Sequence, residues 1–155
     1  MKDNPAEKNI KHDMQPGELI LDGFLGDDKR QLAEIIAADQ ETLQRLGVSA
    51  ADLAKAMRAL TRAGMRALGG QAEEGDFLVQ SEEWMGWLGC PFKDAKRAAK
   101  RLTTVTKRST GETIVWSDLH IHLIEEHGFF EGKGASHRLE PDELIRFLGL
   151  GAQVE

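Results

Sequence analysis

The hydrophobic pattern of the chain changes at Gly75, and this change most constrains the fold. Between residues 32 and 68, apolar residues recur three or four positions apart, which is the spacing of amphipathic helices. After Gly75, short runs rich in β-branched and aromatic residues replace that spacing. The order of these patterns predicts an α+β fold, with helices first and a small antiparallel sheet after them.

Two helices are predicted before Gly75. Asp27 or Asp28 is suited to cap the first helix, and Gly47 supplies a left-handed residue to end it. Ser49, with Asp52 three residues later, predicts the start of the second helix. Because the two helices are separated by only a short turn, they are expected to form an antiparallel helical hairpin.

The middle of the chain predicts a three-stranded antiparallel sheet. Its strands are expected at 76–80 (with a continuation through 83–88), 102–107 and 112–116. The last two strands are joined by a turn in which Gly111 fits the left-handed position. Asp94 is predicted to cap a short basic helix over 95–101.

The segment that follows Trp116 allows two interpretations. As a strand, it would place Asp118, His120 and His122 on one face, an arrangement that binds metals. This string resembles the D-x-H-x-H opening of the amidohydrolase superfamily, whose barrel takes about 250 residues. Only 33 residues of the 155-residue chain follow His122. The spacing from His120 to Glu126 is also similar to the first cupin motif, but positions 114 and 133 lack its glycines.

The helical interpretation is favoured for this segment. Ser117 is a good N-cap and Gly128 a good stop, so the two residues bracket a helix of ordinary length. A further helix is predicted from Pro141, which suits a first helical position, to the stop at Gly149. The predicted domain therefore ends with two C-terminal helices.

One candidate site is a mononuclear zinc centre, structural or hydrolytic. Zinc takes about four ligands, or three and a water, from Cys, His and carboxylate side chains. Cys90 is the single cysteine, which excludes an internal disulfide, and it supplies the thiolate in this hypothesis. Its predicted partners are His120, His127 and His137. Zinc is the one cofactor that the sequence suggests.

The leading functional hypothesis is a non-catalytic binding or accessory protein. Its contact surface would be the His-, Phe- and Gly-rich segment 120–138, where adjacent phenylalanines precede a glycine-rich basic loop. The residues expected to contact a protein partner are Phe129, Phe130, Lys133 and Arg138. No serine elbow or dinucleotide-binding motif supports an enzyme.

A second alternative is a nucleic-acid-binding module. The chain carries a net charge of −6, yet residues 93–108 hold seven basic side chains and one acidic, a local net of +6. The segment 55–66 places Lys55, Arg58, Arg62 and Arg66 on one flank of the second helix. Both basic segments are also compatible with ordinary solvated surfaces.

The protein is expected to be cytoplasmic and not to associate with a membrane. No apolar run approaches the roughly 18 residues that a membrane span requires, and the N-terminus lacks a secretory pattern. Residues 1–15 are polar and aperiodic and predict a flexible tail, with a single α+β domain over 16–155.

Overall fold

The computed structural model describes residues 24–151, and within them it confirms the α+β class. The predicted tail at 1–15 lies outside the described residues. In chain order the elements are α1 (Leu32–Leu46), α2 (Ala50–Arg66), β1 (Ala72–Glu74), β2 (Phe77–Gly89), β3 (Arg97–Lys107), β4 (Thr113–Ser117), α3 (Asp118–His127) and α4 (Pro141–Leu148).

Most helix ends lie where the sequence signals predict them. Gly47, Gly128 and Gly149 end α1, α3 and α4 in the left-handed conformation, with φ of 72°, 62° and 72°. Ser49 accepts the Asp52 backbone N–H at 3.0 Å and so caps α2. The prediction that Asp27 or Asp28 caps α1 was wrong, because the N-cap is Gln31.

The two N-terminal helices do not pack along each other as a hairpin. Helix α1 packs on α4, whereas α2 packs on the sheet and on α3. The reason is that the apolar face of α2, with Leu53 and Met57, is already covered by the sheet core. The α1 residues Leu32 and Ile35 belong to a second core cluster that includes Phe129.

The sheet has four strands in the order β1-β2-β3-β4, all antiparallel, rather than three. The additional strand is β1, which pairs with the start of β2. The short helix predicted over 95–101 was also wrong, since β3 begins at Arg97 and pairs with β2. Pairing with a neighbouring strand here overrides the helical propensity of an Ala- and Lys-rich sequence.

Strands β2 and β3 form a two-stranded ribbon, and its distal half, residues 87–89 paired with 97–99, lies beyond a β-bulge. The register shifts between Trp84 and Trp87, where Gly86 adopts a φ of 103°. Trp84 is 50% exposed and Trp87 is 61% exposed. Both tryptophans that flank the bulge are therefore open to solvent, whereas Leu88 and Ala98 beyond it pack against the second core cluster.

The core lies between the inner face of the sheet and helices α2, α3 and α4. It contains polar links as well as apolar contacts. Trp116 donates its indole N–H to the Thr61 hydroxyl at 2.9 Å, and Ser81 and Thr103 share a hydrogen bond of 2.9 Å.

In the chain from residue 24 to 151, every helix is too short or too polar to cross a membrane.

Candidate metal centre

Helix α3 sets the direction of the histidines, and it begins as the sequence predicts. The Ser117 hydroxyl accepts the backbone N–H of His120 at 3.1 Å, which is an N-cap hydrogen bond. Because the segment is wound into a helix, His120 and His122 point to different sides. The shared face required by the strand interpretation is therefore absent.

Four potential ligands converge where α3 meets the turn between β2 and β3. Helix α3 supplies His122 and His127, and the turn supplies Cys90 and Asp94. Asp94 Oδ2 lies 2.9 Å from His122 Nε2 and 2.8 Å from His127 Nε2. Cys90 Sγ lies 3.5 Å from His127 Nε2. One donor atom from each residue lies within 4.8 Å of all the others.

The turn that carries Cys90 and Asp94 has an unusual backbone. Lys93 and Ala95, which flank Asp94, adopt φ values of 58° and 66°, although neither is glycine. The turn is closed by the Cys90 N–H, which donates to the Lys96 carbonyl at 3.2 Å. A non-glycine residue with such a positive φ is strained, and this strain is common where the backbone positions functional side chains.

The electrostatics of the four side chains differ. Burial alone would raise the pKa of Asp94, but hydrogen bonds from the Lys96 backbone N–H, His127 and His122 outweigh it and hold this pKa well below its ordinary range. Burial raises the pKa of the Cys90 thiol to about 11. Without an ion, the centre therefore combines a carboxylate with a protonated thiol.

Aromatic packing fixes the orientation of the His127 ring. Phe92 stacks on it with ring centroids 4.1 Å apart and an interplanar angle of 8°. Phe92 in turn contacts the buried Phe129 edge-on at 5.6 Å. The imidazole is therefore held in place by the second core cluster rather than by the hydrogen bond to Asp94 alone.

The donor set suits a small tetrahedral ion. Bonds of about 2.0 to 2.3 Å to nitrogen, oxygen and sulfur place tetrahedral ligands roughly 3.3 to 3.7 Å apart. The Cys90–His127 distance of 3.5 Å already lies in this range. The Asp94–imidazole hydrogen bonds are shorter, at 2.8 and 2.9 Å, so an ion would replace them and widen each by about half an ångström.

Two of the four predicted ligands, Cys90 and His127, lie in this cluster, but His120 and His137 do not. The His120 Nδ1 accepts the Ser117 backbone N–H at 2.8 Å. Its Nε2 lies 2.9 Å from the Glu131 carboxylate and 3.0 Å from the His137 carbonyl. His120 and Glu131 are both buried, so they form a structural polar link under the C-terminal loop.

The predicted contact residues are mostly inside the protein. Phe129 and Phe130 are each 1% exposed. Arg138 is held by Asp39 at 2.8 Å and by Glu140 at 2.9 Å. Lys133 is the one predicted contact residue whose side chain is exposed. The phenylalanine side chains are therefore unavailable to a partner in this conformation.

Sequence reasoning missed Asp94 and His122 as members of the cluster. The sequence predicts His122 as a ligand only in the strand interpretation, and it predicts Asp94 as a helix cap. The C-x3-D spacing of Cys90 and Asp94 is not a recognised metal signature, and only the turn between two paired strands brings them together. A correct strand assignment for β3 would have placed Asp94 in a turn beside Cys90.

The chain was compared with protein-family models, curated proteins and solved structures, and none of them matches it significantly.

Proposed function

We propose that this is a zinc-binding protein whose ion is held by Cys90, Asp94, His122 and His127. The observation that carries the proposal is the convergence of four different ligand side chains within 4.8 Å. A soft thiolate beside two imidazoles disfavours Mg²⁺ and Ca²⁺, which take oxygen ligands, and favours zinc. This is the zinc hypothesis of the sequence, with two of its ligands replaced.

The proposed role of the ion is structural. Four protein ligands fill a tetrahedral shell and leave no open position for water, which is the arrangement of structural zinc sites. The ligands come from the β2–β3 turn and from α3, which are separated by β3 and β4 in the chain. By coordinating ligands from both, the ion would link the turn to α3 and stabilise the strained backbone around Asp94.

Charge balance supports the same assignment. A divalent ion with one thiolate and one carboxylate forms a site of zero net charge, which is favourable in a half-buried position. Binding displaces the proton of the Cys90 thiol, so it releases at least one proton to solvent. The imidazoles can stay neutral if their remaining proton moves to Nδ1.

The test is metal analysis of the purified protein with two matched histidine variants. His127→Ala removes a proposed ligand, whereas His137→Ala removes a histidine that lies outside the cluster. We expect about one zinc per chain in the unchanged protein and in His137→Ala, and strongly reduced zinc in His127→Ala. Cys90→Ser should also lose zinc, because a serine hydroxyl is a poor zinc ligand at neutral pH.

Thermal unfolding provides a second measurement. At a free zinc concentration one hundred times the dissociation constant, the folded state gains about 2.7 kcal/mol. Chelation should lower the melting temperature of the unchanged protein and leave His127→Ala unaffected. Zinc-free protein with an unchanged melting temperature after zinc addition, or equal zinc loss in both histidine variants, would contradict the proposal.

A further inference from the structure

A cleft of about 500 Å³ lies between α2, α3 and the distal half of the β2–β3 ribbon. Both basic segments of the sequence contribute to its walls. The cations that line it are Arg58, Arg62, Lys96, Arg97 and Arg101, and the acidic residues are Glu83, Asp118 and Glu125. The fold thus brings together two basic segments that are separated by β1 and β2 in the chain.

The acidic residues of the cleft are already engaged. Glu125 pairs with Arg58 at 2.8 Å. Arg101 pairs with Glu83 at 2.8 Å and also with Asp118. These contacts account for three acidic and two basic side chains and leave three cations in the cleft.

The three remaining cations face the cleft without acidic partners. Among residues 24–151, no ion pair or hydrogen bond is found for the Arg62 guanidinium or the Lys96 ammonium, although the Lys96 backbone N–H donates to Asp94 at 3.0 Å. Arg97 lies over the Trp87 ring, with its Cζ 5.8 Å from the ring centroid. The cleft therefore holds uncompensated positive charge, even though the whole chain has a net charge of −6.

An exposed aromatic ring stands beside these cations. Trp87 lines the cleft, is 61% exposed, and has the small residue Ala99 as its cross-strand partner. The β-bulge at Gly86 sets its position on the ribbon. Although Arg97 lies over the ring, most of the indole surface is exposed and provides a flat face on which another ring can stack.

We propose that this cleft binds single-stranded nucleic acid. Arg62, Lys96 and Arg97 would contact phosphates, and a base would stack on Trp87. The combination of a basic groove with an open aromatic ring is the mode by which proteins bind single strands without sequence preference. An acidic peptide would form ion pairs with the cations but would leave the indole without a stacking partner. In a duplex, the base faces are already stacked and cannot reach Trp87.

This inference does not rest on the zinc proposal, because the cations and Trp87 are not proposed ligands. The two sites are nevertheless neighbours, since His122 borders the cleft and Lys96 lies in the turn that carries Asp94. Metal content is therefore measured in every variant, so that a loss of zinc is distinguished from a loss of cleft residues.

The experiment measures fluorescence anisotropy of a labelled ten-nucleotide deoxythymidylate strand with the full chain at about 50 mM salt. We expect binding that weakens with salt, with a logarithmic slope near −2 for three cations at about 0.7 each. Arg62→Ala should reduce the slope by about 0.7, whereas Arg45→Ala, an exposed arginine of α1 outside the cleft, should not.

Stacking is tested with two tryptophan positions. Trp87→Ala should weaken binding about tenfold, and Trp87→Phe should restore most of it, because phenylalanine keeps an aromatic face. Trp84→Ala is the matched control, since Trp84 is also half exposed but does not line the cleft. Circular dichroism spectra of the variants check that each remains folded.

Three outcomes would overturn the inference. The first is no binding at low salt by the folded protein. The second is equal binding of a duplex of the same length that is insensitive to Trp87→Ala. The third is tighter binding of a polyglutamate peptide, which would instead identify an acidic protein segment as the occupant.

Discussion

Asp94 is the residue on which the proposed centre depends most. Its Oδ2 accepts hydrogen bonds from both imidazoles, and its Oδ1 accepts the Lys96 backbone N–H at 3.0 Å. One carboxylate thus organises the turn and both helix ligands before any ion binds. Such preorganisation lowers the free energy needed to assemble the site.

The substitution Asp94→Asn tests this role. Asparagine keeps the size of the side chain but loses the charge that balances a divalent ion. We expect zinc affinity to fall by more than the roughly 10- to 100-fold that outer-shell substitutions cause. Competition with a chromogenic chelator measures the affinity, and an affinity equal to that of the unchanged protein would remove Asp94 from the ligand set.

A second carboxylate, Asp28, determines a pH dependence away from the centre. The Arg30 side chain hydrogen-bonds to it, and together with the Lys133 backbone N–H holds the pKa of Asp28 well below its ordinary value, although burial opposes this. The pKa is lowered on folding, so the stabilisation is complete above the unfolded pKa of about 4. It is lost as the pH falls through the lower, folded pKa.

Asp28→Asn should therefore destabilise the protein by about 1 to 2 kcal/mol near neutral pH, since a charged acceptor is replaced by a neutral one. The difference from the unchanged protein should be constant between pH 5 and about pH 8 and should shrink below about pH 4. Urea unfolding at several pH values measures it. A difference that grows on acidification would contradict the assignment.

At the scale of elements, the glycine-rich loop after α3 is a packed connection. Its backbone lies against the segment before α1: the Gly132 N–H donates to the Phe24 carbonyl at 2.7 Å, and the Asp27 N–H donates to the Lys133 carbonyl at 3.1 Å. A Cβ added at Gly132 would lie 2.3 Å from the Leu25 carbonyl oxygen. The glycines permit close approach of two backbones.

Gly132→Ala should accordingly destabilise the fold by about 3 kcal/mol, because two backbone segments must separate. Gly47→Ala is the matched control: Gly47 has a φ of 72° but no atom within 4 Å of an added Cβ. Its expected effect is about 1 kcal/mol, from backbone strain alone. Equal losses in denaturant unfolding would indicate that the loop does not pack on the N-terminal segment.

The helix ends and the C-terminal helix could be predicted because their signals are local. Ser117 and Gly128 bracket α3 through contacts with their own helix. The prediction failed where a distant partner decides the structure. Residues 95–101 are helix formers in isolation, yet pairing of β3 with β2 places residues 97–101 in a strand and 95–96 in the turn before it. The predicted helix makes Asp94 a cap rather than a turn residue, so one of the four cluster residues is not predicted as a ligand.

At the scale of the whole molecule, the proposed ion would join two elements that are distant in the chain and already share one core cluster. Cys90 of the β2–β3 turn and Leu119 and Leu123 of α3 belong to the cluster with α1 and Phe129. An ion between the turn and α3 would add bonds beside this apolar contact. Its effect should be concentrated near the turn.

Hydrogen exchange with and without zinc tests this distribution. We expect slower exchange of backbone amides over residues 88–98 and 120–128 when zinc is present, because local opening must break ligand bonds. Helix α1 should change little, since it supplies none of the four ligands. Uniform slowing across all helices, or no change near Cys90, would contradict a local fastening role.

The most direct measurement is X-ray absorption of the zinc-loaded protein at the zinc edge. The proposed ligand set predicts one sulfur at about 2.3 Å and three nitrogen or oxygen neighbours at about 2.0 to 2.1 Å. Cys90→Ser binds zinc weakly, so it is measured with excess protein over zinc, and its spectrum should lack the sulfur shell. A spectrum with no sulfur, or with six oxygen neighbours, would contradict a centre built from Cys90, Asp94, His122 and His127.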